Sequence, residues 1–177
     1  LQSGMVDLSG TTSPILQFAH IAKTEGGFDE CYVEISTDGG SSFTAIPSGA
    51  YMGSGSYPGN FWEDSYADWG TSTQIPDNSW WKVETFDLTS YQTTNVVLRF
   101  RLSSDGSVQR DGWYIDDIYI GEAGPATSVW SGAAKSDAWE TAGNWDNGVP
   151  GPNTSVTVPA GLTNYPTMSS MGFCLDM

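Results

Sequence analysis

Six short stretches of this chain alternate apolar and polar residues with a period of two, and none carries a helical period with caps. Residues 15–23 put Leu16, Phe18 and His20 on one side. Residues 30–37 set Cys31, Val33 and Ile35 against Tyr32, Glu34 and Ser36. Residues 42–46 return after Asp38-Gly39-Gly40, a hairpin signal because those positions accept positive φ. Residues 80–88 place Trp81, Val83 and Thr85 opposite Lys82, Glu84 and Phe86. Residues 96–103 turn Val96, Leu98, Phe100 and Leu102 inward and Arg99 and Arg101 outward, where the two arginines pair with acids on a neighbouring strand. Residues 113–120 form the last strand. This pattern predicts an all-β fold, an antiparallel two-sheet jelly-roll sandwich, with a short C-terminal β-rich segment behind it.

The last strand, in the stretch DGWYIDDIYI, carries two adjacent carboxylates, Asp116 and Asp117. Alternation sends neighbouring side chains to opposite faces, so one of them is expected to point toward the apolar side. A buried carboxylate is costly unless paired or metal-bound, and no Lys or Arg lies between Trp113 and Ile120. A hard cation, Ca²⁺, is the economical partner. The alternative is a bulge or strand end that leaves both acids in water, or a carboxylate accepting backbone N–H groups.

The chain has 177 residues, 21 acids and 6 bases, for a net charge of −15. Such a field makes nucleic acid and anionic membrane surfaces poor partners, and neither is expected. No stretch reaches transmembrane length, so no membrane insertion is expected. Residues 1–121 read as one domain, 122–128 as a linker, and 129–177 as the truncated start of a second β-rich unit, too short for a core of its own. Cys31 and Cys174 fall in different domains, and no disulfide framework is expected. Leu1 and Met177 read as the cut ends of a piece of a longer protein.

Catalytic chemistry has few candidates. The single histidine, His20, lies on an apolar strand face and reads as a buried, hydrogen-bonded residue. No zincin pair, nucleophile elbow or phosphate loop is present. Glu63, Asp64 and Asp68 lie in a loop, where a fixed carboxylate separation is hard to hold. That loop, residues 47–79, is unusually long and aromatic. Phe61, Trp62, Tyr66 and Trp69 are candidate ligand-binding rings, with Tyr57 beside them. The alternative is that they fold back and plug one end of the sandwich.

The order SPILQFAH, EGGFDECYVEISTDGGSSF, VVLRFRLSSD and DGWYIDDIYIG resembles the MAM-like jelly rolls, including choice-of-anchor J and cleaved-adhesin modules of large secreted Bacteroidetes proteins. The tail is similar to a unit that recurs in proteins exported by the type IX system. The resemblance implies a β-sandwich, structural Ca²⁺, secretion or bacterial cell-surface placement, and a binding role. It adds Glu25 and Asp29, in the loop TEGGFDE, to Asp116 and Asp117 as metal ligands. The resulting expectation is a non-catalytic, calcium-stabilised adhesion or ligand-binding module. Its partners would be an extracellular glycan or protein and neighbouring domains of the same polypeptide. The alternatives are a carbohydrate-binding accessory module of a polysaccharide-degrading enzyme and an ancillary domain of a secreted protease.

Overall fold

The computed structural model describes residues 1–69 and 74–169. It divides into two compact units, Leu1–Gly121 and Glu122–Met177. In the first, β1 (Pro14–Lys23), β4 (Lys82–Asp87) and β6 (Gly112–Glu122) form one sheet in the order β4-β1-β6. The second sheet has the order β3-β2-β5, with β2 at Glu30–Ser36, β3 at Thr44–Ala45 and β5 at Val97–Ser103. Helical content among the described residues is confined to short 3₁₀ turns. The fold is all-β, with antiparallel pairing in these sheets, as a jelly-roll sandwich requires.

The period-two pattern explains the core. Leu16 and Phe18 of β1 and Phe86 of β4 meet Cys31, Val33 and Ile35 of β2 and Leu98 and Phe100 of β5 in one cluster. Phe18 stacks on Phe86, centroids 6.2 Å apart, and meets Phe100 edge-on at 4.9 Å. On the far face of the second sheet, Glu34 sits opposite Arg99. Its Oε2 accepts from Arg99 Nε at 2.7 Å and its Oε1 from Arg101 Nε at 2.9 Å. Burial raises the Glu34 pKa, but the two arginines outweigh it and hold the carboxyl below its ordinary range. The residues before β1 add a partial strand to this sheet: Val6 bridges Val96 and Gln2 bridges Arg99.

The hairpin return is shorter than the sequence predicts. Asp38 Oδ1 accepts from the Ser42 N–H at 2.9 Å and its Oδ2 from the Ser42 hydroxyl at 2.6 Å. Those bonds commit Ser42 to the turn, and only Thr44 and Ala45 reach the ladder.

The tail departs from expectation. A segment expected to lack its own core has one, made by Trp130, Trp139, Trp145 and Val156. Trp145 meets Trp130 at 5.0 Å and Trp139 at 4.8 Å, both edge-on. Three indoles bury enough apolar area to substitute for the strands a small unit lacks. Buried Asn144 ties the loops together: its Nδ2 donates to Ser136 O at 3.0 Å and Ala138 O at 3.2 Å, and its Oδ1 accepts from the Ala134 N–H at 3.1 Å. In the tail, β7 (Thr127–Val129) pairs with β8 (Ser155–Thr157) in parallel. Cys174 lies outside the described residues; Cys31 is a free, buried thiol whose burial pushes its pKa up to about 12.

Candidate functional site

Among the described residues of the 47–79 excursion, Tyr57, Phe61 and Trp69 join the core of the sandwich. Phe61 pairs through its backbone with Cys31, both N–H···O bonds at 2.9 Å, which fastens the excursion to β2. Phe61 and Trp69 are fully buried. Phe61 lies 4.5 Å from the His20 ring and Trp69 lies 5.0 Å from it, both edge-on, and Trp69 Nε1 donates to Trp80 O at 2.7 Å. Neither ring can stack on a ligand from solution. Tyr66 is half-buried and packs on Trp69 at 4.8 Å; Trp62 is half-exposed. Phe61, Tyr66 and Trp69 pack with the core; Trp62 is outside that cluster.

Beneath them is a closed polar network. Trp113 Nε1 donates to His20 Nδ1 at 2.9 Å, which places the imidazole proton on Nε2, 3.0 Å from Glu84 Oε1. The Glu84 carboxylate also accepts from the Tyr66 hydroxyl at 2.7 Å and the Tyr51 hydroxyl at 2.6 Å. Tyr51 in turn accepts from the Gly55 N–H at 2.9 Å. His20 and Glu84 are wholly buried. Burial dominates the imidazole and drives its pKa down, against an opposing pull from Glu84. Burial is also the main cause that lifts the Tyr66 hydroxyl to about 12. A histidine hydrogen-bonded to a carboxylate invites comparison with a catalytic pair. Here the other imidazole nitrogen is occupied by an indole.

Of this network, sequence reasoning singled out His20 as buried and missed Glu84 and Tyr51. The signal for Glu84 was its shared parity with Phe86. The signal for Tyr51 was absent, because it reaches the carboxylate from 33 residues away in sequence.

At the loops beyond β1 and β5, Asp29 is buried. Its Oδ1 accepts from the Asp105 N–H at 3.1 Å and its Oδ2 from the Glu25 N–H at 3.4 Å. Glu25 Oε2 is buried without a hydrogen-bond partner. Gly26 lies against the Asp64 carboxylate, leaving no room for a Cβ. Glu63 is mostly buried between the wholly buried Lys23 and Arg110, its Oε2 3.5 Å from each nitrogen. Arg110 Nε is buried and makes no hydrogen bond. An open groove of about 410 Å³ runs past these loops, lined by Asp29, Leu102, Ser104, Asp105, Gln109 and Arg110.

Asp116 and Asp117 do not point into the sandwich. Asp117 has φ of 50°, in the left-handed region, and Asp116 Oδ1 accepts from its N–H at 2.9 Å. This is a β-bulge: two residues share the outer face where one would stand. Trp113 and Ile115 pack inward before it, and Ile120 packs inward after it, one residue out of phase. Both acids are exposed. The desolvation argument for an ion at this strand therefore does not apply. Among the described residues, no group of three or more His, Cys, Asp or Glu is arranged to hold a metal. Glu25 and Asp29 fit in part, since one buried carboxylate oxygen there is unspent.

No family model matches the chain. A stretch of 49 residues, 28% of this chain, is 37% identical to Bacillopeptidase F of Bacillus subtilis (strain 168). The match spans 3% of that protein's length. Among the described residues, no helix is long and apolar enough to cross a membrane.

Proposed function

We propose that residues 1–121 form a non-catalytic adhesion or ligand-binding module of a secreted or cell-surface bacterial protein of several domains. One observation carries this reading. His20, Glu84, Tyr51 and Tyr66 spend hydrogen bonds within one network, whereas an open groove at the loop end is lined by Asp29, Asp105 and Arg110, the last with a buried Nε that makes no hydrogen bond. A rigid scaffold presenting loops is the geometry of binding. Calcium is part of the proposal at Glu25 and Asp29, where it would pin the loop ahead of β2. The test is a screen of the whole chain on arrayed glycans and extracellular proteins, with Arg110→Ala beside it. Retention that Arg110→Ala weakens supports the loop-end groove. Turnover of an ester, glycoside or peptide substrate, lost on His20→Gln, would overturn the non-catalytic reading.

A second reading, an ancillary domain of a secreted protease, is favoured by the 49-residue likeness to Bacillopeptidase F. A peptidase domain elsewhere in the full-length polypeptide would support it.

A further inference from the structure

The outer face of the β4-β1-β6 sheet carries a second, smaller depression, of about 160 Å³. Trp81, the half-buried residue before β4, and Tyr114, on β6, flank it, and Ile21 of the central strand lies between them. Ile75, Pro76, Asp77 and Asn78 close its rim. Exposed apolar residues stand at or near it: Ile75 is 84% exposed, Val83 60% and Tyr114 42%. The volume is well below the roughly 300–1,000 Å³ of pockets that engulf a ligand, so it suits one ring laid flat.

We propose that this depression binds a neutral polysaccharide, with Trp81 and Tyr114 as the stacking platform. Aromatic faces offer apolar area at little conformational cost, and the C–H face of a sugar ring matches them. The polar groups around them suit hydroxyls. Asp77 Oδ1 is pinned by the Ser79 N–H at 2.7 Å and its hydroxyl at 2.5 Å, which holds the carboxylate still and leaves Oδ2 to accept. The Asn78 amide, the Trp81 indole N–H and the Tyr114 hydroxyl make no hydrogen bond among the described residues, so both donors and acceptors are at hand. Charge selects the class. No Lys or Arg lines the depression, Asp77 does, and the chain carries −15 overall, which disfavours uronates, sulfated glycans and phosphates. The site is separate from the loop-end groove and shares with that reading only the premise that the chain binds without turnover.

The experiment is affinity electrophoresis of the whole chain through native gels holding xylan, laminarin, galactomannan or dextran, with heparin as the charged comparison. Wild-type protein should be retarded by at least one neutral polymer and not by heparin. Trp81→Ala and Tyr114→Ala should each weaken retardation about tenfold or more, with unchanged melting of the exposed Tyr114 variant as the folding control. Arg110→Ala should leave it intact, which separates this site from the loop-end groove. No retardation by any neutral polymer overturns the proposal, and so does retardation that survives both aromatic variants. Self-association through this face, abolished by Trp81→Ala, in a protein that no polymer retards also overturns it.

Discussion

Asp116 and Asp117 and Glu84 make an instructive contrast. The aspartates interrupt an apolar strand and look like charges forced indoors, yet both stand in water. Glu84 sits in KVETFD, an unremarkable alternating strand, and is wholly buried. The difference lies in backbone phase and distant partners. One residue in a left-handed conformation places both aspartates on the outer face, whereas unbroken alternation carries Glu84 inward with Phe86. His20, Tyr51 and Tyr66 then arrive from three other parts of the chain to satisfy it. A carboxylate's burial is decided by the register of its strand more than by the company of its neighbours in sequence.

The contrast can be broken by substitution. Glu84→Leu strips one buried and two part-buried donors of their acceptor and should cost about 3–5 kcal/mol in denaturant unfolding, whereas Asp116→Ala should change stability by less than about 0.5 kcal/mol. Near-equal losses would mean that the network is not what holds this end of the sandwich.

Calcium sharpens it next. If Glu25 and Asp29 hold an ion, a hundredfold excess of Ca²⁺ over its Kd adds about 2.7 kcal/mol, and EDTA removes it. Glu25→Gln should abolish that shift in melting temperature, while Asp116→Asn with Asp117→Asn should leave it in place. Coincident melts in Ca²⁺ and EDTA would remove the ion from the proposal.

The pH dependence of stability tests the buried side alone. Unfolded, the His20 imidazole takes up its proton near 6.5; folded, burial holds its pKa lower. Between those values the unfolded chain binds the extra proton, so stability is full above about 6.5 and falls as the pH drops through that window. The slope has a ceiling of about 1.4 kcal/mol per pH unit. His20→Gln should flatten the dependence between pH 6.5 and the onset of carboxylate titration.

The left-handed residue of β6 carries a further, modest effect. Asp117→Gly relieves the left-handed backbone and should stabilise by up to about 1 kcal/mol, whereas Asp117→Val should destabilise by about 1–2 kcal/mol. A stable Asp117→Val variant would show that the strand can run through without the bulge.

Alternation made most of the sandwich legible. The inward sets Leu16-Phe18-His20 and Cys31-Val33-Ile35 follow from parity alone, and Glu34 answers the two outward arginines, Arg99 and Arg101. The bulge was written as an alternative, because Asp tolerates positive φ without requiring it. Lys23 was invisible: a lysine ending a strand reads as solvated, and only the fold brings Trp69 O, at 3.2 Å, and Glu63 to it. Phe61 and Trp69 were legible as aromatic but not as buried, since a loop's path is set by which tertiary partners it meets. The tail's tryptophans read as a change of composition; that they pack on one another depends on Asn144, whose hydrogen bonds span loops a sequence shows as unrelated.

The bulge has a consequence for crowding. β6 is eleven residues long and borders its sheet. A straight, uncharged margin of that length would zip onto its twin on a neighbouring molecule. Two negative charges on a kinked backbone spoil that register and repel a second copy.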